Sequence, residues 1–107
     1  MISYLIQFSL SPAGWSEVLE NPAAYRGDML RGIVERFGGR IRDMWLTSGD
    51  CDCLVVLDLP DTVSAAAISI GYSATGRFKN IRVATLLTLE EGQEAILKAT
   101  GQAAARE

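Results

Sequence analysis

Residues 46–61 constrain the fold most, because a tight turn, an apolar strand and a helix cap follow one another there without a break. Gly49 permits the turn, and the apolar run at positions 54–57 predicts a central strand covered on both faces. Pro60 ends that strand, and Asp61 is typical of a helix N-cap. This segment therefore predicts two adjacent antiparallel strands that lead directly into a helix.

The rest of the chain predicts two further strands and three further helices. Ser11 and Asn21 each precede a proline, a pattern typical of helix starts, and Gly38-Gly39 ends the second of these helices. Thr88 and Glu91 form a capping box before the last helix. We expect strands at 2–8, 40–47, 51–59 and 78–87, and helices at 12–19, 22–37, from 61 to about 68, and from 88 to about 97, with a loose connection at 71–76.

This order, β-α-β-β-α-β plus a terminal helix, predicts an α+β fold of the ferredoxin-like type: a four-stranded antiparallel sheet with two helices on one face. The 107 residues form one domain, with positions 100–107 expected to fray. In the second strand we place Ile41 and Trp45 on one side and Met44 and Leu46 on the other.

More apolar side chains occur in the strands than two helices can cover. They are Trp45 and several of Leu5, Leu54, Val55, Val56, Leu57, Val83 and Leu87. We therefore expect the chain to pair with itself, sheet on sheet, as a dimeric α/β barrel. The alternative is that the terminal helix folds over one edge of the sheet.

The composition excludes several kinds of chemistry. A net charge of −3 argues against general nucleic-acid binding, and no apolar run reaches the roughly 20 residues that cross a bilayer. The chain has no histidine, which removes Ser-His-Asp, Cys-His and His-ligated metal sites. We expect no cofactor, no metal, and a cytoplasmic location. Cys51 and Cys53 are too close in sequence to suggest a disulfide framework, and we interpret them as small buried side chains on one strand face.

Residues 38–61 resemble the GYD domain family, small bacterial proteins with a Gly-Tyr-Asp signature before an apolar strand. The chain has Leu-Thr-Ser-Gly-Asp-Cys-Asp at positions 46–52, so Gly49 and Asp52 match the signature and Cys51 replaces its tyrosine. The likeness extends over about residues 4–96. It implies a ferredoxin-like fold akin to the dimeric α/β barrels, and it implies no established reaction.

Asp52 is the main candidate site residue. Its carboxylate has a structural interpretation, in which it accepts hydrogen bonds from nearby backbone, and a functional one, in which it is a polar anchor or a base at a cavity rim. Asp50 is expected in the solvated turn. We predict Trp15, just after the first strand, together with Tyr4 and Trp45, as aromatic ligand contacts.

Three functions remain open on the sequence. The leading hypothesis is a homo-oligomeric module, without evident catalytic machinery, that binds a small molecule. The alternative is a cofactor-free dimeric-barrel enzyme, an oxygenase or isomerase that uses Asp52 as its base. A third is a purely structural assembly unit.

Overall fold

The computed structural model describes residues 1–22 and 28–102 of the chain. Four strands form one antiparallel sheet in the order β2-β3-β1-β4, which confirms the ferredoxin-like α+β arrangement. The elements are β1 (Ile2–Leu10), α1 (Pro12–Glu20), α2 (Asp28–Arg36), β2 (Arg40–Leu46), β3 (Cys53–Leu59), α3 (Thr62–Ala74), β4 (Phe78–Leu86) and α4 (Leu89–Leu97), followed by a π-helical turn, Lys98–Gln102.

Side-chain caps fix where three helices begin, as the sequence predicts. The Ser11 hydroxyl accepts a hydrogen bond from the Gly14 N–H (3.2 Å), and the Asp61 carboxylate accepts one from the Ser64 N–H (2.8 Å). Thr88 and Glu91 form the full reciprocal capping box of α4. Each cap pairs a backbone donor that the helix itself leaves without a partner, so these boundaries are set locally.

Two helix boundaries differ from the sequence prediction or extend beyond the described residues. α3 continues through Gly71 to Ala74, so the predicted loose connection is shorter, because Tyr72 is buried in the core and holds the last turn against the sheet. The predicted start of α2 at residue 22 leads into residues 23–27, which lie outside the described part. Of the predicted frayed tail, residues 100–102 are helical and 103–107 lie outside the described part.

The core lies between one face of the sheet and the helices. Tyr4, Ile6, Phe8, Val55 and Leu57 fill its sheet side, and Leu30, Val34, Ala65, Ile68 and Tyr72 fill its helix side. Phe8, Tyr72 and Phe78 form an aromatic group in which Tyr72 stacks on Phe78 with ring centres 4.5 Å apart. We call this helix-packed side of the sheet the covered face. It accounts for nearly all of the fully buried apolar side chains.

A β-bulge in β2 overturns the predicted facing of its side chains. Ile41 pairs with Leu57, but the next aligned pair is Asp43 with Val56, so Arg42 is an extra residue. The bulge shifts the alternation by one. Ile41 consequently lies on the covered face and Trp45 on the opposite face, not on the same side as predicted. β4 has a matching irregularity opposite residues 7–9 of β1, beside Asn80, whose φ is 53°.

The terminal helix α4 projects away from the sheet. None of its residues is buried, and Leu89, Ile96 and Leu97 are 94%, 64% and 52% exposed. The molecule measures 60 Å along its longest axis and 29 Å and 22 Å along the other two. Within a single chain the helix therefore does not cover a sheet edge, contrary to the alternative considered from the sequence.

Candidate functional site

The second face of the sheet has no helix on it, and we call it the open face. Strand register orders its side chains in three rows that run across β2, β3, β1 and β4. The rows are Arg40-Asp58-Ser3-Leu86, Asp43-Val56-Leu5-Ala84 and Trp45-Leu54-Gln7-Arg82. Apolar side chains occupy the middle of this grid and two of its corners, Trp45 and Leu86. Charged side chains occupy the other two corners, Arg40 and Arg82, and the β2 edge at Asp43.

The apolar centre of the open face is accessible to solvent. Leu5, Leu54 and Val56 are half-buried among their neighbours, while Trp45 is 51% exposed at the β2 edge. The predicted surplus of apolar side chains is therefore present, although its membership changes. Val55 and Leu57 are fully buried on the covered face and do not contribute. A contiguous apolar patch with a polar rim is typical of a protein interaction surface.

A charged cluster that the sequence analysis missed lies in the first row of the open face. The Asp58 carboxylate accepts a hydrogen bond from the Ser3 hydroxyl (2.7 Å) and forms ion pairs with Arg40 (3.0 Å) and Arg42 (3.6 Å). The hydrogen bond from Ser3 holds the pKa of Asp58 below its ordinary value, burial opposes this, and the two arginines reinforce it. The cluster therefore places two cations around one buried carboxylate, and the exposed Asp43 follows Arg42 in β2.

Asp52 ties the end of β1 to the turn between β2 and β3. One of its carboxylate oxygens accepts a hydrogen bond from the Leu10 N–H (2.9 Å), and its own N–H donates to the Phe8 carbonyl (3.0 Å). The Asp52 carbonyl accepts from the Thr47 N–H (2.9 Å). Because Leu10 directly precedes the Ser11 cap, these bonds also fix the entry into α1. This geometry matches the structural interpretation of Asp52.

The other residues of the signature segment have simpler surroundings. Gly49 has no left-handed φ, and a Cβ added there would contact nothing within 4 Å, so neither backbone strain nor crowding requires glycine. Asp50 is exposed, as expected. Cys51 precedes β3 and contacts Thr47 through its sulfur (3.6 Å), whereas Cys53 is fully buried on the covered face. The two cysteines do not form a disulfide.

Tyr4 lies in the core and has a polar atom without a partner. Its side chain is 2% exposed, and its buried hydroxyl makes no hydrogen bond to the protein. A buried donor left unpaired costs on the order of 1–3 kcal/mol, so such groups are uncommon in cores.

Tyr72 is a second tyrosine of the core, near Cys53. Burial, with a smaller contribution from Cys53, raises the pKa of Tyr72 to about 12. Its phenol is therefore neutral at physiological pH. The residue serves packing through its contacts with Phe8 and Phe78.

The four predicted ligand contacts do not meet at one place. Tyr4 is on the covered face and Trp45 on the open face, on opposite sides of the sheet. Trp15 lies on α1 and is 39% exposed, and Asp52 lies beyond the end of the sheet rows. Among residues 1–22 and 28–102, no group of three acidic or cysteine side chains is arranged to hold a metal ion. No described helix combines the length and apolar character needed to cross a membrane.

The fold and the open face define the class: a small ferredoxin-like α+β protein with one sheet face covered by helices and one bare. The family model for the GYD domain matches residues 4–96, so the chain belongs to the GYD domain family. A comparison with curated proteins gave no match, and a comparison with solved structures gave none either.

Proposed function

We propose that this GYD domain protein is a self-assembling module in which the open faces of two identical chains pack against each other. The observation that supports this is the bare apolar centre of the sheet, formed by Leu5, Leu54 and Val56 and extended to the edge by Trp45. Burial of that centre against a second copy removes apolar surface from water, the main favourable contribution to association. The polar side chains at its margin, Arg40, Asp58, Ser3, Asp43, Gln7 and Arg82, would then form the polar rim.

Small-molecule binding is the second part of the proposal, and the unpaired Tyr4 hydroxyl favours it. A guest with a hydrogen-bond acceptor would satisfy this donor inside the core. The other predicted ligand contacts, Asp52, Trp15 and Trp45, are not part of this proposed site. The sheet separates Trp45 from Tyr4, and the Asp52 carboxylate already accepts a hydrogen bond from the Leu10 N–H. No contact among the described residues favours Asp52 as a base, so the enzyme hypothesis gains no support.

Native mass spectrometry of protein purified from cells tests both parts. We expect a dimer at micromolar concentration for the wild type, and a monomer for Val56→Asp, which places a charge at the centre of the open face. Val63→Asp is the matched control, because Val63 is 74% exposed on α3, away from the open face. Trp45→Lys provides a second disruption at a position 51% exposed, where the folded monomer tolerates a charge.

The same spectra report any small molecule that the protein retains. We expect retained mass in the wild type and less of it in Tyr4→Phe, which lacks only the hydroxyl. A monomeric wild type would refute the assembly proposal. A dimer whose retained mass is zero, or is the same in Tyr4→Phe, would leave assembly standing and refute the ligand proposal.

A further inference from the structure

The terminal helix α4 is amphipathic but contacts little of its own chain. At 100° per residue, Leu89 and Ile96 lie on one side of the helix, Leu97 lies about 80° round from Leu89 and next to Glu90, and Glu94 and Glu91 follow further round. A nine-residue helix is marginal in water even with good caps. The exposed apolar stripe and the short length both indicate that α4 packs against a surface outside the chain that carries it.

The position of α4 limits which surface it can reach. β4 ends at Leu86, which is level with Ser3, Asp58 and Arg40, so α4 leaves the sheet at the end where β2 begins. Within one chain, β4 and β2 are opposite edges of the sheet, about 14 Å apart at the usual strand spacing. The Arg40 and Arg42 side chains at the β2 edge are 73% and 49% exposed.

Charges on the open face select one way of stacking two copies. A two-fold axis across the strands would bring Asp43 against Asp43 of the second copy. An axis along the strands instead places Asp43 against Ala84 and Trp45 against Arg82, which is a favourable cation–π pair. The second arrangement avoids the like-charge contact. It also places β4 of each chain over the β2 edge of the other, with the same ends together.

We infer that α4 is an exchange arm that docks on the β2 edge of the second copy, where Glu90 and Glu94, at the border of its apolar side, lie beside Arg40 and Arg42. This inference rests on the proposed sheet-to-sheet dimer. Charge complementarity selects the occupant: α4 carries glutamates, and the β2 edge presents the side chains of Arg40 and Arg42, 73% and 49% exposed, whereas Asp58 between them is only 9% exposed. Docking on that side would also shield Leu97, which neighbours Glu90 around the helix, from water.

Mixing two charge-reversed chains tests the arm. In the Glu94→Lys dimer, the introduced lysine of each α4 lies beside Arg42 of the other chain. In the Arg42→Glu dimer, Glu94 of each α4 lies beside the introduced glutamate of the other chain, so both variants place like charges together. We therefore expect each variant alone to dimerise about tenfold more weakly than the wild type. When the two are mixed, both contacts between chains join opposite charges again. Heterodimers should then exceed the one half that random pairing gives, as measured by native mass spectrometry with one chain tagged.

Matched controls separate the arm from general charge effects. Asp50→Lys reverses an exposed charge in the β2–β3 turn, so its mixture with Arg42→Glu should show no excess of heterodimers. If Arg42→Glu fails to fold beside Asp58, Arg42→Gln restores one favourable contact in the mixture and should still give an excess. Random pairing with unchanged dimer affinity would overturn the arm and leave the dimer intact. A wild type that is monomeric would instead refute the proposed function itself.

Discussion

Asp52 shows how one side chain can organise a junction. Its carboxylate pairs the Leu10 N–H at the end of β1, and its backbone bonds reach Phe8 and Thr47. The next residue, Ser11, caps α1 and also donates its hydroxyl proton to the Gly76 carbonyl (2.6 Å). The contacts of Asp52 with Leu10 and of Ser11 with Gly76 thus join four parts of the fold: the β2–β3 turn, the end of β1, the start of α1 and the α3–β4 connection. The position of the signature aspartate is explained by architecture, without appeal to chemistry on a substrate.

Removal of this carboxylate should destabilise the fold. We expect Asp52→Ala to lower the free energy of unfolding by about 1.5–3 kcal/mol, because a charged hydrogen bond is lost and the Leu10 N–H loses its partner. Asp52→Asn keeps an acceptor oxygen and should cost less. Urea unfolding measures both, with the exposed Asp50→Ala as control, expected within about 0.5 kcal/mol of wild type. Equal effects at positions 50 and 52 would contradict the junction role.

Which residues could be foreseen depends on how local their contacts are. Ser11, Asp61 and Thr88 cap helices through bonds that span three residues, so the sequence is enough to predict them. Asp58 was missed because its partners lie on other strands, and only the register of the sheet brings them together. A charged residue within an apolar strand, with two arginines in the strand before it, was the available signal.

Among the secondary-structure elements, local patterns predicted the strands and their order well. They failed where the pattern itself is interrupted. Regular alternation predicted that Trp45 and Ile41 share one face of the sheet, and the extra residue in β2 places them on opposite faces. The sequence could not predict this, because a bulge leaves no signal in the pattern of hydrophobicity. The extension of α3 was missed for a different reason. Glycine has a low helix propensity, so Gly71 predicts the end of the helix. The burial of Tyr72 against Phe8 and Phe78 outweighs this propensity and keeps Gly71 within α3.

Two glycines at element boundaries should respond oppositely to alanine. Gly38 ends α2 with φ of 84°, a conformation that costs a residue with a Cβ about 1–2 kcal/mol. Gly49 has neither that φ nor a neighbour to clash with, so alanine there should stabilise by about 0.4–1 kcal/mol by restricting the unfolded chain. Thermal and urea unfolding of Gly38→Ala and Gly49→Ala report both signs. A destabilising Gly49→Ala would show that the signature glycine has a structural task in the turn.

For the whole molecule, the absence of histidine shapes the dependence of stability on pH. No side chain of ordinary pKa titrates between about pH 6 and 8, so stability should be nearly constant there. At alkaline pH, the decrease in the free energy of unfolding is caused in part by Tyr72, whose pKa is raised to about 12. Because the folded pKa exceeds the unfolded value of about 10, this contribution is complete below pH 10 and is lost as pH rises towards 12.

Tyr72→Phe removes that titration and keeps the ring stacking. We expect the wild type to lose up to about 1.4 kcal/mol per pH unit more than the variant between pH 10 and 12. Denaturant unfolding of both proteins from pH 7 to 12 gives the two curves. Parallel curves would mean that the phenol ionises as readily in the folded state as in the unfolded chain.

The irregularities in β2 and β4 have a consequence for crowded solutions. Both outermost strands depart from regular pairing, and the β2 border carries Arg40, Arg42 and Asp43 in a row. A fifth strand arriving from another molecule would have to follow a bent backbone and desolvate those charges. Fibre growth by the addition of strands at the sheet edges is thereby discouraged.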